Sequence, residues 1–514
     1  MKNNRNDESY LHILKYTSLF GIIQFLCIML GIVKNKVVAV ILGPMGVGMI
    51  SLFNSTLNFV SNATNFGVAT SGVKNISDAY TLDNYDYIEK QVLTVRLWCL
   101  FAGIFGSLFC ILFCGYLDKI TFSWGNHTFH FLCLSPVIFI TSVTGGELAI
   151  LKGLRKLSYL AKISLLNIIA TIIICIIIYY YFKISGIVPC LLITAFIQML
   201  FTVGYSYRVV PLKLHFNKER IASGTSMIKV GIAFVLSSIF ATGADFFIRS
   251  YINNVASLAE LGLYSAGYVI VMTYGGLIFA AMETDYYPRL SSITDSVKFC
   301  NTVNSQCEVS ILLISPMLSF LILFIPVILP LLYSEAFQAV VPMVQIALIA
   351  LYIRAVKLPV AYISLAKSNS LLFLCGEGFY SICIVLFSII GYNYAKIVGI
   401  GWAIVVAGLL EYILLFTLNY KIYHYCISKN TIQYFSIHFL LGISVLWISL
   451  HLKGWIYWAI GCLCIILSTA FSIKILYCKT SIFQNIIKQF KKDRVSSVNH
   501  KVRNLNHRVT KHKL

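Results

Sequence analysis

Five basic residues stand inside segments of this chain that are otherwise apolar: Lys34, Lys36, Arg249, Arg354 and Lys357. A charge at the centre of a bilayer costs about 2.5–3.5 kcal/mol on insertion scales, so such residues usually face a cavity or a partner. In a low-dielectric cavity cations attract phosphate, and arginine grips it through two nitrogens. Arg354 lies near the middle of its segment, and the three-residue step to Lys357 puts both on one helix face. Pro359 follows and is expected to kink the helix. Lys34 and Lys36 cannot share a direction, because two residues turn a helix by about 200°. Either one is expected in an anion site with Arg249, Arg354 and Lys357. The competing reading for the lysines is snorkelling to the headgroups. Arg96, just inside the third apolar segment, and Lys74, just past the second, are expected to guide an anion inward or to anchor the surface.

Acids are fewer. Asp245 precedes Arg249 by one helical turn, so an intrahelical ion pair competes with a functional role. Glu411, near the middle of its segment, is a proton or cation carrier or else the buried partner of Arg354. Asp245 and Glu411 are therefore the ion-coupling candidates. Glu377 opens a helix, where an acid is favourable without any function.

These residues must be held by membrane helices. The chain has 514 residues, 59% hydrophobic and 11% charged, with mean hydropathy +0.83. No soluble domain of this length buries so much apolar surface, and a spanning helix needs roughly 20 apolar residues. Candidate spans lie near 13–42, 46–71, 92–116, 129–152, 159–182 and 185–207. A second set lies near 226–251, 261–287, 309–333, 339–365, 371–394 and 397–422, with two more near 434–452 and 455–478. The expectation is an all-α polytopic protein of about 14 helices. It divides into a lobe over 1–207, a linker over 208–225, a second lobe over 226–422, an extra helix pair over 423–478 and a basic tail over 479–514.

The two lobes read as a tandem duplication. Gly48 and Ser51 recur as Gly262 and Ser265, an offset of 214. Leu151, Leu160 and the break between them recur at the same offset as Leu365 and Leu374. Lys183-Ile184-Ser185-Gly186-Ile187 recurs as Lys396-Ile397-Val398-Gly399-Ile400, at 213. At offset 214, Arg249 falls on Asn35, between the two lysines, so both lobes place a cation at one depth. A duplicated bundle implies a site between its halves, as in many transporters.

Lysine and arginine are strongly biased between alternate loops. Twelve lie in loops on the N-terminal side and four on the other, which puts both termini in the cytoplasm. The tail from Lys479 carries ten basic residues and one acid, and the whole chain has a net charge of +21. Contact with anionic lipid explains that charge; nothing in the sequence supports nucleic-acid binding. The fifteen cysteines show no metal or disulfide spacing, and no Walker loop, HExxH or nucleophile elbow occurs. No cofactor and no enzymatic activity are expected. The short loops leave no room for a catalytic domain, which weighs against a polytopic glycan polymerase or ligase.

The run Lys36-Val37-Val38-Ala39-Val40-Ile41-Leu42-Gly43-Pro44-Met45-Gly46-Val47-Gly48, with Asn65-Phe66-Gly67-Val68-Ala69-Thr70-Ser71-Gly72-Val73 after it, resembles the start of Wzx-type O-antigen translocases. Within them it looks closest to the flippases for enterobacterial common antigen (lipid III). The Leu151-Lys152-Gly153-Leu154-Arg155 break is also similar. The resemblance covers roughly residues 10–425. It implies a MATE-like fold of the MOP superfamily, with two six-helix lobes around a cationic cavity. It implies movement of an undecaprenyl-pyrophosphate-linked oligosaccharide across the bacterial inner membrane by alternating access. It also implies a polysaccharide polymerase and a chain-length regulator as partners. The rival on the same fold is a cation-coupled exporter of small molecules, which needs acids in the cavity.

Overall fold

A computed structural model describes residues 2–82, 84–211, 218–276, 279 and 286–479, with side chains from residue 22 onward and, in the helix that begins at Lys218, from residue 235. Apart from Lys479, the basic tail lies outside these residues. The helices are α1 (Lys2–Thr64), α2 (Val68–Thr81), α3 (Tyr85–Thr121), α4 (Thr128–Gly153), α5 (Leu157–Phe182), α6 (Ile187–Val209) and α7 (Lys218–Val255). They continue as α8 (Leu258–Tyr268), α9 (Ser296–Leu332), α10 (Val341–Ala366), α11 (Ser370–Tyr423), α12 (Lys429–His451) and α13 (Gly454–Lys479). Helices dominate because lipid offers backbone groups no partner but each other. At several starts a side chain satisfies a free amide: Asn84 accepts from the Tyr87 amide, Ser257 from Glu260 and Ser428 from Thr431.

Nine of the described runs are long and apolar enough to cross a bilayer. Three of them, at 43, 53 and 54 residues, are about twice the length that one crossing takes. Each is broken midway. α1 breaks at Gly43, whose φ of 64° favours glycine, and Pro44 restarts it. The α5–α6 run breaks at Lys183, and α11 at Ala395 and Lys396. The nine runs therefore hold twelve of the fourteen expected crossings. The other two, near 226–251 and 261–287, fall partly outside the described residues. Between the two halves of α1, Gly43 is the one residue with non-helical backbone angles.

The duplication is written into the backbone. Lys183 has φ 49° and ψ −130°, and Lys396 has φ 51° and ψ −138°. A left-handed φ is costly for lysine, so the same rare geometry at matched positions is a strong mark of shared origin. At the break after α4, Arg155 takes φ 55°, and after α10 Ser368 takes φ 57°. The Arg155 amide donates to Lys152 and the Ser368 amide to Leu365, at 3.0 Å each. These breaks match at offset 213, so the one-residue slip comes before them, earlier in the chain than the leucine matches suggested.

The repeats meet through their matched residues. Gly48 in α1 and Gly262 in α8 lie against one another, and a Cβ on either would run into a backbone carbonyl, Leu258 for Gly48 and Pro44 for Gly262. Beside them Ser265 Oγ lies 2.7 Å from Ser51 Oγ. Further bonds between repeats run from Asn253 to the Thr121 carbonyl and from Asn254 to that of Ile120, both 2.8 Å. All of these lie toward the face opposite the 208–225 linker. The last pair is fastened to the second repeat. The Tyr457 hydroxyl donates to the Leu323 carbonyl and Lys479 pairs with Glu308, while within the pair His438 bridges Ser468 and Ser472.

Two predictions follow from this packing. Gly48→Val should destabilise the closed contact by about 1–3 kcal/mol, the usual cost of overpacking, and lower the unfolding midpoint in tryptophan-fluorescence melts. An unchanged midpoint would show that the repeats do not close here. The second concerns the loop after α3. His127 is buried against Phe122 and Trp124, and neither ring nitrogen has a partner among the described residues. Burial, with a smaller contribution from His130, pushes its pKa below the usual histidine value, and Asp118 opposes this. A depressed base gives stability above its unfolded pKa of about 6.5, lost as pH falls through that value. Amide exchange over residues 118–131 should therefore rise between pH 7.5 and 5.5 beyond its intrinsic pH dependence, and His127→Phe should remove that rise.

Candidate functional site

Two cavities are lined by seven of the described charged residues. The first, of about 330 Å³, lies between the repeats. α1 gives it Lys34 and Ser51, then Asn54 and Asn58 one turn apart; α7 gives Asp245 and Arg249, and α8 gives Ser265. Arg249 is buried and fully engaged along one edge. Its Nε donates to both Asp245 oxygens at 2.8 and 2.9 Å, and Nη1 to Ser265 Oγ at 2.6 Å. The guanidinium sits 5.5 Å from the Tyr264 ring centre and 5.4 Å from that of Tyr268. The intrahelical pair foreseen for Asp245 is therefore present.

The second cavity, of about 320 Å³, lies within the second repeat. α10 supplies Arg354 and Lys357 from one face, as their spacing requires, and α11 supplies Glu377, Tyr380 and Glu411. Tyr268 lines it too and, being stacked on Arg249, forms the partition between the cavities. Lys357 is ion-paired to Glu411. The sequence suggested Arg354 for that role, but the ammonium one turn further along α10 takes the carboxylate. Arg354 stands 5.1 Å over the Phe279 ring. A π-helical turn, Val269–Tyr274, continues α8 beside both cavities; such turns often mark functional sites.

Four cations and three carboxylates line the two cavities. The cationic excess read from the sequence is thus one charge. Lys34 and Arg354 are the two cations, one per repeat, that have no carboxylate partner among the described residues.

Three other basic residues lie elsewhere. Lys36 Nζ donates to the Pro330 carbonyl at 2.7 Å, capping the end of α9 and tying the repeats together. Arg96 is buried and clamps Glu147 through two bonds of 2.8 and 3.2 Å, while also donating to the Val210 carbonyl at 3.0 Å. Lys74 is exposed. Glu147 escaped the sequence reading. It is a buried acid in mid-α4 that accepts from Ser206 Oγ at 2.6 Å as well as from Arg96, so it braces α3, α4 and α6. A carboxylate amid an apolar run was the available signal.

Residues 37–342 match the polysaccharide biosynthesis protein family. The chain belongs to that family. A Shigella flexneri protein named as an O-antigen transporter is 23% identical over 305 residues, 58% of this chain and 71% of the relative. Among solved structures, the lipid II flippase MurJ in an inward closed conformation has a TM-score of 0.69 at 17% identity, covering 90% of this chain and 99% of that one. An inward-facing MATE family multidrug transporter of the MOP superfamily has a TM-score of 0.67 at 16% identity, covering 77% and 94%. The likenesses to solved structures show a MATE-like fold, and the family together with its O-antigen-transporter relative supports a membrane transporter.

For a member of this family, the Lys357–Glu411 pair separates structure from transport chemistry. Lys357→Met should lower stability by about 3–5 kcal/mol, since it leaves a buried carboxylate alone. Adding Glu411→Leu should recover most of that loss, measured by the melting midpoint in detergent. Additive losses would show that the two side chains do not act as a pair.

Proposed function

We propose that this protein is a flippase that carries an undecaprenyl-pyrophosphate-linked oligosaccharide from the cytoplasmic to the periplasmic leaflet of the bacterial inner membrane. The observation that carries this reading is a pair of cations from opposite repeats, Lys34 and Arg354, each lining a cavity with no ion-paired carboxylate among the described residues. A dianionic diphosphate matches two such charges better than a cationic drug does. The amides of Asn54 and Asn58 and the hydroxyls of Thr171 and Thr194 offer hydrogen bonds to sugars in the same cavity. The prenyl tail stays in lipid. The family and the relative named as an O-antigen transporter support the same substrate class, and within it the Wzx and lipid III flippases are the branch we favour.

The linker face is cytoplasmic in this reading, from the lysine and arginine bias, and both termini lie there. Arg249 completes the diphosphate site, held ready by Asp245. Lys357 stands one turn from Arg354 and joins it if Glu411 releases the ammonium, which makes Glu411 the coupling acid. Lys36, Arg96 and Lys74 then serve closure, bracing and entry. A polymerase and a chain-length regulator act on the product.

Lys34→Gln and Arg354→Gln should each cut translocation of a diphosphate-linked oligosaccharide in proteoliposomes by about 10- to 100-fold, the worth of a charged hydrogen bond. Protein level and melting midpoint should stay near normal, because neither change strands a carboxylate. Full transport by the double variant would overturn the proposal.

A further inference from the structure

The bonds around Arg249 form a continuous chain from the cavity to the contact between repeats. Nη1 donates to Ser265 Oγ at 2.6 Å, Ser265 Oγ bonds Ser51 Oγ at 2.7 Å, and Ser51 Oγ donates to the Gly48 carbonyl at 2.8 Å. Ser51 and Ser265 are matched residues of the two repeats, 214 apart. Gly48 is the residue whose backbone lies against Gly262. One arginine thus touches the cavity at one end and, through two hydroxyls, the closure at the other.

Proton counting makes the chain depend on Arg249. Each serine has one hydroxyl proton. Ser265 can spend its proton on Ser51 or on its own helix, where the Leu261 carbonyl lies at 2.7 Å. The guanidinium, as donor to Ser265 Oγ at 2.6 Å, holds that oxygen where it lies 2.7 Å from Ser51 Oγ, and it strengthens the bond that the hydroxyl donates. Without that donor, the back-bond to Leu261 is the local alternative that serines adopt within helices. Arg249 keeps further N–H groups on Nη1 and Nη2, beyond those given to Asp245 and Ser265, and it lines the cavity. A phosphate oxygen is a charged acceptor and forms hydrogen bonds about twice as strong as those of a neutral hydroxyl.

We propose that Arg249 holds the Ser51–Ser265 latch closed, and that a diphosphate entering the cavity draws Nη1 off Ser265 and releases it. The substrate's anion then opens the face opposite the linker, with no separate trigger. This inference rests on the flippase reading above.

Hydrogen–deuterium exchange of the full chain in lipid nanodiscs tests it, with inorganic pyrophosphate as the probe. In wild type, pyrophosphate should speed exchange over residues 44–55 and 258–268. Ser265→Ala should raise that exchange by about fivefold without pyrophosphate, the Boltzmann factor of a typical net hydrogen bond. Pyrophosphate should then add little. Ser51→Ala and the double variant should match Ser265→Ala, since one bond is lost only once. Wild-type rates in Ser265→Ala, or multiplying effects in the double variant, would overturn the latch. Calorimetry separates the two levels of the argument. Pyrophosphate that binds without changing exchange sinks the latch and leaves the flippase reading standing. Pyrophosphate that does not bind sinks both.

Discussion

The structure turns on a contact that only glycine allows. Where α1 re-enters after Gly43 and where α8 begins, the two helices cross with backbone against backbone at Gly48 and Gly262. Lipid gives helices little hydrophobic reason to associate, so close approach of backbones and buried hydrogen bonds supply the adhesion. The matched serines one turn further in add a bond at that point, and Lys36 on the Pro330 carbonyl adds another. A backbone contact fixes the repeats in register with atomic tightness, and buried side chains of both repeats, Leu42, Met49 and Leu52 with Leu258, Leu261 and Tyr264, pack around it.

Among the described residues, three buried or partly buried ion pairs divide the charge at membrane depth. Arg96 and Glu147 answer each other within the first repeat, Lys357 and Glu411 within the second, and Asp245 and Arg249 on one helix. The first is a brace: Arg96 gives Nε and both Nη2 protons to Glu147 and the Val210 carbonyl, and Nη1 reaches the Pro211 carbonyl at 3.4 Å. The other two border open space. In a low-dielectric site an unpaired charge is costly in the empty protein, and that cost is recovered when an opposite charge binds. In the flippase reading Lys34 and Arg354, unpaired among the described residues, carry that cost.

Much of the fold was legible in the sequence because lipid makes it so. Apolar runs of about 20 residues have to be helices, and the matches at Gly48, Ser51 and Lys183 revealed the duplication. The pairing of charges was only half legible. A four-residue step ties Asp245 to Arg249 on one helix, and that partnership was foreseen. Lys357 and Glu411 lie on different helices, where a rotation of one turn decides whether Arg354 or Lys357 takes the carboxylate. Sequence periodicity does not fix the relative rotation of two helices. Glu147 shows the same limit: its partners come from α3 and α6, and no spacing joins them.

The repeats share a frame and have parted in what they do with it. The same left-handed lysine ends the first half of each long hairpin, at Lys183 and Lys396. The same closing turn follows α4 and α10. Yet in the first repeat the buried acid is consumed by the brace at Arg96, while in the second Glu411 sits on a cavity wall beside Glu377, Arg354 and Lys357. A symmetric pair of braces would make a rigid body with no place for a charge to move. In the flippase reading, the braced first repeat brings Lys34 to the site, and the second brings the cavity lined by Arg354, Lys357, Glu377 and Glu411.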